Sequence, residues 1–303
     1  MDFRALRYIE AIARHQNLTR AAEALYVGQP TLSKFLAAQE AELGLKLFRK
    51  VGNRYIPTLA GERYLEKAAA ILRLKDDLDA EMADILRRDT GTLDVAFAAM
   101  RAAYMLPTVL PAFQAAHPNV RVRVHEGSSD ENDRRLLDGT AEVAFYSASG
   151  VGRGQIDCLP LAKEELLICT RKGHPLARQA THDPACPYPR LSLRLLQDER
   201  VLMMLPQQRT RQIVDAILHR EQLCFENVLY TGNIQAITGL VAAGYGVSFV
   251  FDSHLKHCAE AGALDLYSFG QPRTLCDFVA ATRRGSYVSD FAKDFIEIVR
   301  QSV

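Results

Sequence analysis

A change of pattern at Thr90-Gly91 constrains this chain more than any other feature. Upstream, apolar residues recur at three- and four-residue steps, and strand-like residues occur only in one short stretch. Downstream, apolar runs of strand length alternate with amphipathic helical stretches. The first pattern needs helices packed on helices and the second needs a sheet covered by helices, so the two parts cannot share one core. A length of 303 residues agrees with two or three domains. Beyond the linker, strands are expected at 93–97, 120–125, 142–146, 166–170, 201–205, 227–231, 247–251 and 278–282. Helices are expected at 106–116, 130–137, 211–221, 234–243 and 289–300. This predicts an α/β unit with a largely parallel sheet, or two such sheets, and helices outside.

The first ninety residues are finely punctuated. Phe3, Leu6, Ile9 and Ile12 set a first helical face. Asn17-Leu18-Thr19 is a helix-start signal for a short Ala-rich helix over 20–25. Gly28-Gln29-Pro30 is the next break. Pro30 suits a first helical turn, and Gly44 suits the stop of a helix over 30–43. Residues 47–57 read as two short strands around a turn, and Thr58 caps a long helix from Leu59 to about Arg88. On that helix Ile71, Leu74, Leu78, Met82 and Ile85 form a single apolar seam. The seam suits pairing with a second copy of the chain; packing on its own chain is the alternative.

Two short helices, a turn and a hairpin are the parts of a winged helix-turn-helix. A helix that reads a major groove needs short polar side chains at its leading end. Gln29, Thr31, Ser33 and Lys34, with Pro30 setting the first turn, meet that need. Arg49, Lys50 and Arg54 on the hairpin suit phosphate contact. Ten basic and six acidic side chains fall within residues 1–65 of a chain whose formal net charge is +1, so a mildly basic head precedes a mildly acidic body.

The six cysteines are scattered without a C-x-x-C pair and read as reduced thiols. No signal-peptide pattern and no apolar run of bilayer length is visible, which places the protein in the cytoplasm and off the membrane. His254, His257 and Cys258 could face one way on a helix and hold zinc, but no fourth ligand is evident; no metal or other cofactor is expected. No nucleophile elbow or phosphate loop is visible, so catalysis is not expected. The rival readings are an enzyme carrying a winged head as autoregulator, which needs such a constellation, and a solute-binding protein, which needs an export signal and no basic head.

The punctuating residues also resemble a known family. Ala21-Ala22-Glu23-Ala24-Leu25, Gln29-Pro30-Thr31-Leu32-Ser33, Glu40 with Leu43-Gly44 and Leu47-Phe48, and Thr58-Leu59-Ala60-Gly61 fall in the order and spacing of the LysR-type transcriptional regulators. Gly28 departs from the usual Ser or Thr, Gln39 from the usual Leu, and Lys50 from the usual Arg. The resemblance continues through Leu106-Pro107, His117-Pro118, Glu142-Val143-Ala144-Phe145, His174-Pro175-Leu176 and the stretch from Leu240 to Val247. It implies a ligand-responsive, sequence-specific regulator of double-stranded DNA that works as a homodimer or homotetramer. It implies a DNA-binding domain at 1–58, a linker helix at 59–89 and a periplasmic-binding-protein-like effector domain at 90–303. The two lobes of that domain would be about 90–161 with 268–303, and about 162–267, with crossovers near Leu161 and Ser268. A small effector would lie between the lobes. Matching residue by residue gives Met100 and Arg101 in the loop after the first strand, Ser129, then Gln207, Gln208 and Arg209, then Thr231 and Asn233. Relatives often place Ser or Thr at the position of Met100, and the two arginines point to an anionic effector. Peroxide-sensing relatives use a cysteine pair where this chain has Gln207-Gln208-Arg209, and Cys224 alone is a poor redox switch.

Overall fold

The computed structural model describes residues 2–86, 89–148, 154–184 and 186–303. They divide into two compact units, Met1–Arg87 and Arg88–Val303. The first contains α1 (Phe3–His15), α2 (Leu18–Ala24), α3 (Gln29–Leu43), the hairpin β1 (Phe48–Val51) and β2 (Arg54–Pro57), and α4 (Leu59–Ile85). The expected end of α4 at Arg88 lies outside the described residues.

Local chemistry sets these boundaries. Asp2 accepts the Arg4 N–H at the start of α1, and Asn17 accepts those of Thr19 and Arg20 at the start of α2. The start of α3 has no side-chain cap at Gly28, and its end is Gly44 at φ 66°. Ile9, Ile12, Ala21, Leu32, Leu36, Leu47 and Phe48 close around one apolar core.

The residues that looked like punctuation meet at one place, the Lys46-Leu47 peptide. The buried carboxylate of Glu40 accepts the N–H of Leu47 at 2.9 Å and of Phe48 at 3.2 Å, and pairs with Lys46 Nζ at 2.6 Å. From the other side, Thr58 Oγ1 donates to Lys46 O at 2.6 Å while its N–H donates to Leu47 O at 2.9 Å. The same hydroxyl accepts the Gly61 N–H at 3.1 Å and so caps α4. A Cβ at Gly61 would stand 2.0 Å from Leu47 O, so α4 packs there only without a side chain. Three elements, α3, β1 and α4, are thus fixed to one another by hydrogen bonds to a single stretch of backbone.

The second unit holds β3 (Gly91–Ala98), α5 (Ala99–Ala116), β4 (Val120–Gly127), α6 (Ser129–Asp138), β5 (Val143–Ala148) and β6 (Ile156–Arg171). There follow β7 (Val201–Met203), α7 (Arg209–Glu221), β8 (Val228–Tyr230), α8 (Ile234–Ala242), β9 (Val247–Phe251), α9 (Asp252–Leu255), β10 (Leu264–Tyr267), β11 (Leu275–Arg283) and α10 (Asp290–Gln301). The strands run in the order β4-β3-β5-β11-β6-β9-β7-β8, with β10 also on β6. The sheet is less parallel than the alternation predicts. Pairs β3·β4, β3·β5, β7·β8 and β7·β9 are parallel, but every pair made by β6 and β11 is antiparallel.

β6 belongs to both halves. Residues 156–165 pair with β11, 166–169 with β9, and 168–171 with β10. Leu161 falls at a break in register opposite Phe278 and Val279. On the way back between the halves, the buried Ser268 donates its N–H to Pro189 O at 2.8 Å and accepts from Leu191 N at 2.9 Å.

Two local expectations need correction. Ala99-Met100-Arg101 is not a loop but the first turn of α5, which begins seven residues before the expected position 106. Pro107 and Pro111 stand inside that helix, one turn apart on its exposed face, where the missing N–H groups leave carbonyls that water can serve. Strand β10 was not expected at all, because Leu264-Asp265-Leu266-Tyr267 is too short for alternation to register.

Gly61→Ala is expected to destabilise the first unit by on the order of 1–3 kcal/mol through forced overpacking. Thermal unfolding of the full chain checks this: the first unit's transition should fall, and an unchanged transition would show that α4 can shift freely.

Candidate functional site

In the first unit, α3 presents two unlike faces. Leu32, Leu36 and Glu40 are buried against the core. Gln29, Pro30, Thr31 and Lys34 are exposed and Ser33 is half-buried, at the helix's leading end. Arg49 and Lys50 on β1 and Arg54 on β2 are exposed too. Val51 pairs with Arg54 and Lys50 with Tyr55 across the hairpin, so Arg49 and Arg54 share a face and Lys50 takes the other. None of these polar side chains is bonded to another described residue. The uncapped start of α3 adds free N–H groups and the positive end of the helix dipole.

One residue of this surface was missed. Tyr26 is 96% exposed, with a left-handed φ of 53°, in the turn before α3. A large aromatic in the break before Gly28-Gln29-Pro30 was the available signal.

In the second unit, a cleft of about 370 Å³ opens at the carboxyl ends of the parallel strands β3, β4 and β5. It is closed from the other half by the segment after β7 and by the start of α7. Of the expected residues, Met100, Arg101, Ser129, Gln207, Gln208 and Arg209 line it. Thr231 and Asn233 flank Gly232, which does line it, and are engaged locally. Thr231 Oγ1 accepts the Asn233 N–H at 3.3 Å, and Asn233 Oδ1 caps α8 by accepting from Gln235 and Ala236. The wall also includes Ser128, Glu131, Ser147, Met204, Leu205, Thr210 and Phe251, which the sequence reading did not single out. Of these, Ser128 and Glu131 carried a signal, the S-x-x-E capping box at the start of α6.

The charged groups are held in place by neighbours. Arg101 is 2% exposed. Its Nη2 donates to both oxygens of Glu164, at 2.9 and 2.7 Å, and to Ser147 Oγ at 2.9 Å. Its Nη1 donates to Tyr104 OH at 2.8 Å, and its guanidinium lies 4.0 Å from the centre of the Phe278 ring. Glu164, also 2% exposed, accepts further from Ser147 Oγ and, at 2.6 Å, from Ser253 Oγ of α9. The Ser128 N–H and hydroxyl hold the Glu131 carboxyl below the usual carboxylate range. Gln208 is spent on Leu205 N and Gly232 O, and Arg209 reaches Gln212 Oε1 at 3.2 Å. The starts of α5 and α7 carry no side-chain cap, so their N–H groups remain available.

The histidines behind this network do not gather around an ion. His257 stacks on Tyr104 at 4.6 Å, His254 is buried with its pKa lowered by burial, and Cys258 Sγ donates to Glu260 at 3.1 Å. Among the described residues, no three His, Cys, Asp or Glu side chains form a metal-binding group. Cys224 is exposed.

Comparison with known proteins places both units. The model of the bacterial regulatory helix-turn-helix proteins of the lysR family matches residues 3–62, and that of the LysR substrate binding domain matches residues 87–303. The HTH-type transcriptional regulator YcgK of Bacillus subtilis (strain 168) is 27% identical over 317 residues, covering 100% of this chain and 95% of the relative. A probable RuBisCO transcriptional regulator of Trieres chinensis is 27% identical over 266 residues, covering 86% and 84%. Among solved structures, a full-length OxyR variant from Pseudomonas aeruginosa superposes with a TM-score of 0.70 at 23% identity, covering 100% of this chain and 94% of that one. Full-length CbnR in complex with its target DNA gives 0.59 at 23% identity, with 100% of both chains covered.

Glu164→Ala leaves the Arg101 guanidinium buried without its counter-charge, which should destabilise the second unit by about 3–5 kcal/mol. Denaturant unfolding followed by circular dichroism should show the loss; a change below about 1 kcal/mol would mean that water or another acid replaces Glu164.

Proposed function

Because the chain belongs to the LysR family of bacterial helix-turn-helix transcriptional regulators, we propose that it docks the leading end of α3 in the major groove of DNA and tunes its affinity to a small molecule held in the cleft. The observation that carries this reading is the free polar edge of α3. Gln29, Thr31 and Lys34 are exposed and unbonded on a helix whose opposite face is fully packed. Gln29 suits a bidentate bond to adenine, Thr31 can set its methyl against that of thymine, and the Thr31 and Ser33 hydroxyls suit hydrogen bonds to base edges. Lys34, with Arg49, Lys50 and Arg54 of the wing, supplies charge to phosphates. Pro30 fixes the first turn and leaves that edge unobstructed.

The protein works as a homodimer in this reading, and the dimers pair further into a tetramer. The first half of α4 is covered by its own chain, since Ala68 and Leu72 pack on Leu6. Leu74, Leu78, Met82 and Ile85 continue the seam at four-, four- and three-residue steps and stay exposed. A second α4 is the cover this pattern fits, and two heads on one duplex then require half-sites about 10 bp apart or a multiple.

The effector domain responds to a ligand and performs no reaction of its own. The cleft's titratable groups support this, because Arg101 is paired with Glu164 and Glu131 caps a helix. The site of action is the cytoplasm, where promoters are; no described helix is long and apolar enough to cross a membrane.

Gln29→Ala should erase much of the difference between operator and random DNA, worth about 1–3 kcal/mol. Arg54→Ala should instead weaken both alike and reduce the salt slope by roughly one. Mobility-shift titrations at several salt concentrations separate the two, and equal wild-type affinity for both DNAs would remove the premise. Leu78→Glu should turn the dimer into a monomer in sedimentation runs and lower operator affinity with it; an unchanged mass would place the interface elsewhere.

A further inference from the structure

The chemistry of the cleft decides what it can hold, and this inference rests on the cleft being the sensing site. Arg101 faces the cleft, but its charge is already matched by the buried Glu164. Its contacts run to Glu164, Ser147 and Tyr104, all within 3 Å, with a Phe278 ring against its face. An anion here competes with Glu164 for one guanidinium charge, and displacing Glu164 would leave a buried carboxylate without a counter-charge, which is costly. Glu131, ionised because Ser128 caps it, adds a negative group to the wall. Arg209, which reaches Gln212, balances it. Arg101, Arg209, Glu131 and Glu164 together present no net charge.

The rest of the wall is apolar with a donor edge. Met100 extends from α5 of one half to pack against the apolar cluster of the other, which contains Leu202, Met204 and Ile234. Met204, Leu205 and Phe251 continue that surface. Thioethers adapt to flat or branched apolar groups without fixing one shape. The uncapped first turns of α5 and α7 offer N–H groups to an acceptor.

We propose that the effector of this regulator is an uncharged molecule with an apolar body and a carbonyl acceptor, such as an amide, ester or lactone, and that the Arg101–Glu164 pair is what excludes the corresponding acid. Met100 and Met204 hold the body, and the start of α5 holds the acceptor.

The test is a set of matched pairs at neutral pH: benzamide with benzoate, phenylacetamide with phenylacetate, isobutyramide with isobutyrate. Each is titrated into the intact chain labelled at its methionine methyl groups, so that Met100 and Met204 report directly. The amide of each pair should bind at least about tenfold more tightly than its acid. In Glu164→Gln, which keeps the shape of the side chain and removes its charge, the acids should gain about tenfold while the amides hold their affinity. Wild-type protein that prefers the acids overturns the proposal and leaves the sensing role standing, as does a folded Glu164→Gln variant with no gain for acids. If Glu164→Gln fails to fold, the wild-type ranking decides alone. If no member of any pair moves the Met100 or Met204 signals, the proposed effector class is overturned, while the reading of the cleft as the sensing site stands.

Discussion

The sensing unit depends on one strand serving two sheets. β6 is paired with β11 up to Glu165 and with β9 from Leu166, so a single extended segment carries the chain from one half to the other. A strand can do this only if its backbone groups find partners throughout, because an unpaired N–H or C=O at a buried crossing is costly. The handover is also where acid is concentrated. Glu164 turns to Arg101, Ser147 and Ser253, and the next residue, Glu165, pairs with Arg273 at 2.9 Å. Successive residues of a strand face opposite sides, so one pair of neighbours fastens both faces of the crossing. Arg101 comes from α5 and Ser147 from β5, both in the first half, while Ser253 comes from α9 in the second half, between the two crossings. The floor of the cleft and the junction of the halves are therefore one polar network.

The DNA-facing unit solves a related problem at smaller scale. Apolar packing of Leu32 and Leu36 is joined by polar anchoring, and the leading end of α3 takes no part in it. The anchoring is placed at the far end of α3. Glu40, near its last turn, grips the first residues of the wing, and Thr58 grips the same backbone from the side of α4. The result leaves Gln29, Thr31 and Lys34 without structural duties. That division of labour leaves the exposed leading end of α3 free of any part in holding the head together.

Much of this was legible in the residues themselves. Asn17, Pro30, Gly44 and Thr58 mark helix ends through contacts within a few residues, and each helix begins or stops where they stand. The strands at β3, β4 and β9 follow from apolar runs bounded by breaks. The candidate cleft was partly legible: Met100, Arg101, Ser129 and Gln207 to Arg209, expected just after strand ends, do line it, while Thr231 and Asn233 serve their own turn and cap. Arg101 was visible as a charge but not as a neutralised one, because its partner Glu164 is 63 residues away. The antiparallel course of β6 and β11 was hidden as well, since alternation gives the presence of a strand and says nothing of its direction.

The sequence by itself determined the division at the linker, the helix-turn-helix with its wing, the amphipathic long helix and the alternating body. These follow from periodicity and capping, which act over one or two turns of chain. Only the tertiary structure decided which charges of the cleft are paired, which polar side chains are spent on caps, and that Met100 reaches the opposite half of the cleft. Those outcomes depend on which distant groups exclude water together, and desolvation is a property of the closed packing that no local stretch of residues carries.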